Sequence, residues 1–367
     1  MTYNFEQFYR CGEKRFHNIF QAFEEQKNTG QFPEYIIDDE LVQSIKGVKR
    51  PKNLNRQYLQ RLMIARLKEL RKKYQRLVLY YSGGTDSYTI LRLCVENDIF
   101  IDETITHMIS VKNDIRVDIE PYAGLLLAKK HEGTGIGKCS EFRPTEDHLS
   151  YVDDPEWFYN NNFLRGCNIT NRFFSTPMAL HDEINQHDST VILTGFEKPR
   201  LYIENGQLHW TVLDVTVAEL MGLKKVVPFF LDKENPELVV GMTYAMADMI
   251  DVKQFKSKGQ MIEVNADRKA KLKTLEPIGL YKTPYHWINT AILGKDKMNY
   301  NIKTKRAFKE LQKIGRNDYL EKIWATHKRI IERYGKLPHA LQTQGNISQT
   351  VARLCEKVPI LQEKFGG

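Results

Sequence analysis

Hydrophobic and polar positions follow two rhythms along this chain, and the change between them falls near residue 76. Before it, Phe5, Phe8 and Tyr9 stand at helical spacing, and between residues 55 and 73 Leu59, Leu62, Met63, Leu67 and Leu70 form one stripe among many basic residues. That period predicts an amphipathic helix with one buried and one solvated face. Residues 1–75 are therefore expected to be a helical extension. Leu77-Val78-Leu79-Tyr80-Tyr81 reads differently: it is β-prone, too short for a buried helix, and bounded by a glycine turn, so it predicts a strand. A helix pattern follows from Asp86, with Ile90, Leu91, Leu93, Cys94 and Val95. Next come a β-prone segment at 105–111, a helix pattern at 116–131, a helix at 177–186, and the strand 190–193, which stops at Thr194-Gly195.

Strands alternating with helices predict an α/β fold with a parallel, doubly wound sheet. This domain is expected over 76–250, with an irregular insertion rich in Asp, Asn and aromatics at 133–172. From about Val217 the pattern turns mainly helical. Residues 251–367 are read as a helical C-terminal region, with a basic helical stretch at 301–334.

Composition narrows the class. Of 367 residues, 41% are hydrophobic and 27% charged, which excludes a wholly disordered chain. No apolar run is long enough to span a membrane, and the first residues lack the basic start and apolar core of a secretory signal. Cys11, Cys94, Cys139, Cys167 and Cys355 are scattered and form no CxxC pair, so neither a disulfide framework nor a zinc ribbon is indicated. A reducing, cytoplasmic setting is expected. The net charge of +8 suits polyanions such as nucleotides, pyrophosphate or nucleic acid, and equally suits an ordinary solvated surface.

The chemistry concentrates in Ser82-Gly83-Gly84-Thr85-Asp86-Ser87, between the first strand of the sheet and the helix after it. Two glycines let consecutive N–H groups turn toward one anion. Ser82, Thr85 and Ser87 add hydroxyl donors, and the helix that follows offers unpaired amides and the positive end of its dipole. Asp86 fits such a site only with a divalent cation between it and the phosphates, as is usual for magnesium. Thr194-Gly195 ends another strand, where ligands of open α/β sheets collect, and Glu197, Lys198 and Arg200 follow. Lys198 or Arg200 there would offset charge on a departing pyrophosphate; the plain alternative is a surface turn. No GxxxxGK[ST] loop occurs, which disfavours chemistry at a γ-phosphate.

The first segment resembles the SGGxDS signature of the PP-loop ATP pyrophosphatases, the adenine nucleotide α-hydrolase-like or HUP-type fold. Ser82, Gly83, Gly84, Asp86 and Ser87 match without a gap. The resemblance implies that ATP and Mg2+ are bound, that the loop with Thr194 and Gly195 grips pyrophosphate, and that Asp86 organises the metal. A second stretch, from Met221 to Asp232, is similar to the LExRxPFLD segment in the synthetase domain of asparagine synthetases and β-lactam synthetases. Leu223, Val227, Pro228, Phe229, Leu231 and Asp232 match once an inserted phenylalanine is allowed, while Lys224 and Val226 replace the family's Glu and Arg. These likenesses imply an AMP-forming ligase. A substrate carboxylate or amide oxygen is adenylated and then attacked by nitrogen from ammonia, an amine or a partner subunit. Thr2 stands where glutamine-using relatives expose a cysteine, so no glutaminase is expected here. The acceptor, a small molecule or a nucleic acid, is not specified, and neither is homo-oligomerisation.

Two alternatives remain at this level. One is a PP-loop enzyme that adenylates a tRNA or DNA base before amination or thiolation, for which Cys139 and Cys167 would carry sulfur and Lys303, Lys305, Arg306, Lys309, Lys313 and Arg316 would face the nucleic acid. The other is a non-catalytic nucleotide-binding protein. Asp153-Asp154-Pro155-Glu156 reads as a helix-capping turn rather than a second metal site. The run Gly133, Gly135, Gly137 lacks the preceding strand of a dinucleotide site. His107, His131 and His181 lack metal-ligand spacing, and Arg116 with Glu120 reads as a surface pair one helical turn apart.

Overall fold

The chain first builds a small antiparallel sheet. In the computed structural model, which describes residues 8–16, 19–31, 34–36, 43–45, 48–108, 119–142, 189–195, 200–204, 207–211, 225–247, 262–263 and 358–359, strand β1 (Phe8–Cys11) turns into β2 (Lys14–Phe16). Helix α1 (Ile19–Thr29) follows, and β3 (Glu34–Ile36) returns to pair with the other edge of β1. The helical reading of the first residues is corrected by this hairpin, in which Tyr9 lies opposite Phe16. Gly12 reverses the chain with φ 60°, and strands this short carry too little alternation to compete with a helical spacing of aromatics.

Helix α2 (Arg56–Lys73) forms where the stripe predicts it. Asn55 caps it, its side-chain oxygen accepting the Tyr58 N–H at 2.9 Å, and Arg71, Lys72 and Lys73 complement the negative end of its dipole. Leu59, Met63, Leu67 and Leu70 are buried.

The main sheet follows directly. Its elements are β4 (Arg76–Tyr80), α3 (Thr85–Glu96), β5 (Ile101–His107), α4 (Ile119–Lys129), β6 (Ile136–Phe142) and β7 (Thr190–Thr194). A second antiparallel hairpin, β8 (Arg200–Glu204) with β9 (Gln207–Thr211), precedes β10 (Val226–Pro228), a 3-10 turn Phe229–Leu231 and α5 (Pro236–Ala247). The five strands run in the order β10-β7-β4-β5-β6 and every pairing is parallel, which makes this an α/β fold. β4 is apolar on both faces, as a central parallel strand requires: Leu77 and Leu79 enter the core under α2, α3 and α5, and Val78 and Tyr80 pack with Ile105, Ile192 and Val226.

Three expectations change. The strand placed at 105–111 is β5, which starts at Ile101, because Asp102, Glu103, Thr104 and Thr106 hide a parallel strand behind polar residues. Glu103 is served by its neighbours: Arg76 and Ser140 bond to it, and Lys138 stands 3.6 Å away. Part of the region read as an irregular insertion is the ordered edge strand β6, whose glycines and exposed polar side chains conceal it; residues 133–135 are the turn leading into it, and 143–172 lie outside the described residues. β8 and β9 form a four-stranded antiparallel sheet with β11 (Ile262–Glu263) and β12 (Val358–Pro359), so the described part of the C-terminal region is strand rather than helix. The helix expected at 177–186 and the basic stretch at 301–334 lie outside the described residues. Among the described residues no helix is long and apolar enough to cross a membrane.

Candidate functional site

The sheet has one place where its connections diverge. From β4 the chain goes to β5 and β6 on one side, whereas β7 and β10 lie on the other, so β4 and β7 are neighbours across the reversal. A crevice opens beyond the carboxyl ends of two such strands, and ligands of open α/β sheets collect there. Tyr80 ends β4 opposite Thr194, which ends β7. The two segments singled out in the sequence, far apart along the chain, thus emerge side by side. Gly195 comes so near α3 that a Cβ on it would stand 2.6 Å from the Ser87 nitrogen and 2.9 Å from the Asp86 carbonyl carbon.

The loop leaves the sheet after one last ladder bond, from the Tyr81 N–H to the Ile105 carbonyl at 2.9 Å. Gly83 takes the left-handed region with φ 74°, which a residue with a Cβ resists. Gly84 then caps α3 through its backbone: its carbonyl accepts the Tyr88 N–H at 3.0 Å. Ser87 donates to the Gly84 carbonyl at 3.2 Å, Ser82 Oγ stands 3.1 Å from Ser87 Oγ, and Ser82 Oγ accepts the Gly84 N–H at 3.2 Å. With the Ser87 proton directed to Gly84, the Ser82 hydroxyl donates to Ser87. The loop is therefore tied by a small hydroxyl ring at its mouth, while first-turn amides have no partner within the helix. Ser87 is buried, Ser82 is exposed, and Asp86 sits half-buried in that first turn.

This arrangement suits a multiply charged anion held by amides, hydroxyls and a helix N-terminus. Among the described residues the loop's carboxylate is that of Asp86, and no three His, Cys, Asp or Glu gather into a metal cage. Magnesium fits that donor set, since it is commonly held by one or two carboxylates together with phosphate oxygens and water. Thr85 is described through its backbone, as the first residue of α3. Thr194 is fully buried with its hydroxyl 3.5 Å from the Val227 carbonyl, so it ties β7 to β10. Arg200 opens β8 opposite Thr211. Lys198 and Glu197 lie outside the described residues.

The segment ending in Asp232 does structural work. Val226, Val227 and Pro228 form β10, and Phe229, Phe230 and Leu231 are fully buried behind it. Asp232 is buried and accepts the Arg66 Nε–H at 2.6 Å and the Glu234 N–H at 3.0 Å. Burial pushes its carboxyl pKa up, and Arg66 pulls it back. Arg66 also reaches Glu234 at 2.7 Å and Glu69 at 2.8 Å. The sequence reading missed Arg66, although a signal existed: it lies three residues after Met63 and four before Leu70, a charge on a buried stripe. Lys224 lies outside the described residues.

His107 closes β5 between the ends of β4 and β6. Its ring centre lies 4.4 Å from that of Tyr80 and 4.9 Å from that of Phe142. Among the described residues neither imidazole nitrogen has a hydrogen-bond partner, and burial drives its pKa down to about 3, so it is neutral at physiological pH. The described cysteines lack the setting of reactive thiols. Burial raises Cys139 and pushes Cys94 up to about 12, while Cys11 donates to the Gln31 carbonyl at 3.2 Å. Cys167, the proposed partner of Cys139 in sulfur transfer, and the cluster 153–156 lie outside the described residues. No family model, no curated protein and no solved structure matches the chain.

Proposed function

We propose that this protein is an ATP-dependent, AMP- and pyrophosphate-forming ligase of the PP-loop type, built on a HUP-type sheet. The observation that carries the reading is the placement of Ser82–Ser87 at the point of strand reversal, with Gly83 left-handed and Ser87 at the head of α3. That is where an anion cradle has the most amides to offer.

The β- and γ-phosphates of ATP lie against the loop amides and the hydroxyls of Ser82 and Ser87, displacing the ring those hydroxyls make between themselves. Asp86, with phosphate oxygens, would hold magnesium, which would supply charge neutralisation on the polyphosphate. A carboxylate or amide oxygen of the acceptor attacks the α-phosphorus; the bond to the bridging oxygen breaks and pyrophosphate leaves with that electron pair. The loop stabilises the leaving group, and Lys198 or Arg200 is the cation proposed to offset its charge. A nitrogen nucleophile then attacks the activated carbon, loses a proton and expels AMP. Positioning and fixed electrostatics supply the rate, since no protein side chain becomes covalently attached.

Exchange of labelled pyrophosphate into ATP tests the first half-reaction. It is run with magnesium and with separate pools of carboxylates, amides, nucleosides and tRNA. The reading requires exchange that depends on one pool and vanishes in Asp86→Ala. Exchange that persists in Asp86→Ala would remove Asp86 and this loop from the chemistry.

A further inference from the structure

Gly124 occupies an interior position of α4, where glycine is a poor helix former, and its packing explains the choice. A Cβ there would stand 2.4 Å from Gly83 Cα, 3.1 Å from the Gly83 nitrogen and 3.2 Å from Tyr81 Cε1. The two nearest atoms are backbone, and backbone cannot swing aside as the end of a side chain can. α4 therefore lies directly on the one left-handed residue of the phosphate loop. Beneath the contact, the Tyr81 ring is fully buried, so the base of the loop cannot retreat from the helix. From the side of β7, a Cβ on Gly195 would come within 2.6–2.9 Å of Ser87 and Asp86, again against backbone atoms.

We infer that Gly124 and Gly195 are positioning residues for the phosphate loop, which is clasped between α4 and the end of β7. The hydroxyl ring of Ser82 and Ser87 ties the loop to itself but does not fix where it stands on the sheet. The clasp does: it sets the backbone of Gly83 from one side and the first turn of α3 from the other, and so fixes the direction of the amides between them. A methyl group at either glycine forces the loop off its seat through contact with its backbone. This inference rests on the loop being the pyrophosphate cradle.

Two readouts keep the inference and the reading apart. Hydrogen exchange followed by mass spectrometry reports the loop with no ligand present, in wild type, Gly124→Ala, Gly195→Ala and Leu126→Ala, the last at an exposed position of α4. Titration with magnesium pyrophosphate reports the cradle. Both glycine variants should exchange at least tenfold faster over residues 81–88, with β5 and β7 unchanged, and should bind pyrophosphate at least tenfold more weakly. Leu126→Ala should match wild type in both. Unchanged exchange over the loop would overturn the inference, as would faster exchange spread evenly through β5 and β7, which marks ordinary core glycines. A loosened loop with undiminished pyrophosphate affinity would also overturn it. Wild-type protein that binds no pyrophosphate would overturn the proposed function instead, leaving exchange to decide the clasp. Should Gly124→Ala not fold, Gly195→Ala carries the test from the other side.

Discussion

Arg66 on α2 and Asp232 after β10 meet at 2.6 Å with both side chains buried. The pair joins the helix that precedes the sheet to the segment that follows its last strand, 166 residues away in sequence. A buried ion pair adds little net stability relative to a well-packed apolar pair, yet removing one side leaves the other with fewer hydrogen bonds than its burial requires. Asp232→Ala strips Arg66 of its most buried partner and the Glu234 amide of its acceptor. Because Arg66 keeps Glu69 and Glu234, urea unfolding should show a loss of about 1–3 kcal/mol, the usual range for a buried group deprived of one hydrogen-bond partner. A loss within about 0.5 kcal/mol, typical of surface changes, would mean the pair is not formed in solution.

Removing the other partner gives a pH signature. In Arg66→Met, Asp232 keeps the burial that raises its carboxyl pKa and loses its principal cation. A carboxyl whose pKa is higher in the folded state binds protons more tightly there, so stability falls as pH rises through that range. The deficit of Arg66→Met against wild type should be smaller at pH about 4.5 than at pH about 7.5. A deficit independent of pH would assign the loss to packing alone.

His107 gives the opposite dependence. Its folded pKa of about 3 lies below the ordinary histidine value of 6.5, so the unfolded chain takes up the proton first. The stability owed to the neutral ring is complete above about pH 6.5 and is lost as pH falls toward about 3. One proton over the interval from about 6.5 to about 5 amounts to about 2 kcal/mol. His107→Phe keeps an aromatic ring between Tyr80 and Phe142 and should abolish that loss in urea titrations at pH about 7.5 and about 5. Equal acid sensitivity in the variant would place the titrating group elsewhere.

Cys139 should be chemically quiet. Its thiol is half-buried and pushed up by that burial, so little thiolate forms at neutral pH. Iodoacetamide should label it more slowly than a free cysteine in the same buffer, and Cys139→Ala should retain activity within about twofold. A large loss of activity would revive the sulfur-transfer reading.

Ser87 carries both a structural bond and a donor. Ser87→Ala removes the tie to Gly84 and Ser82 together with one hydroxyl for the anion. Magnesium pyrophosphate should bind about 10- to 100-fold more weakly, in keeping with one hydrogen bond to a charged group. Unaltered affinity would show that the amides alone hold the ligand.

Legibility in the sequence followed local signal strength. β4, α3 and β7 were plain because a central parallel strand is apolar on both faces and glycine punctuates its end. β5 and β6 are hidden from the pattern because their polar residues answer to neighbouring strands, as Glu103 answers to Arg76 and Ser140. The β8–β9 hairpin carries a signal in its sequence, Asn205-Gly206 between runs of alternating residues. For the site, the loop residues were readable as chemistry, and the strand reversal then placed Gly195 beside Ser87. Gly124 and Arg66 were not readable as contacts, because their partners, Gly83 and Asp232, reach them only through tertiary packing.

The most direct test of the central claim is product identity. Wild-type protein and Asp86→Ala are incubated with magnesium ATP and an acceptor pool that supports pyrophosphate exchange, with ammonia added. The nucleotides and phosphates are then separated and counted. The PP-loop mechanism predicts AMP and pyrophosphate in equal amounts from wild type and neither above background from Asp86→Ala. ADP and inorganic phosphate as the products would contradict it.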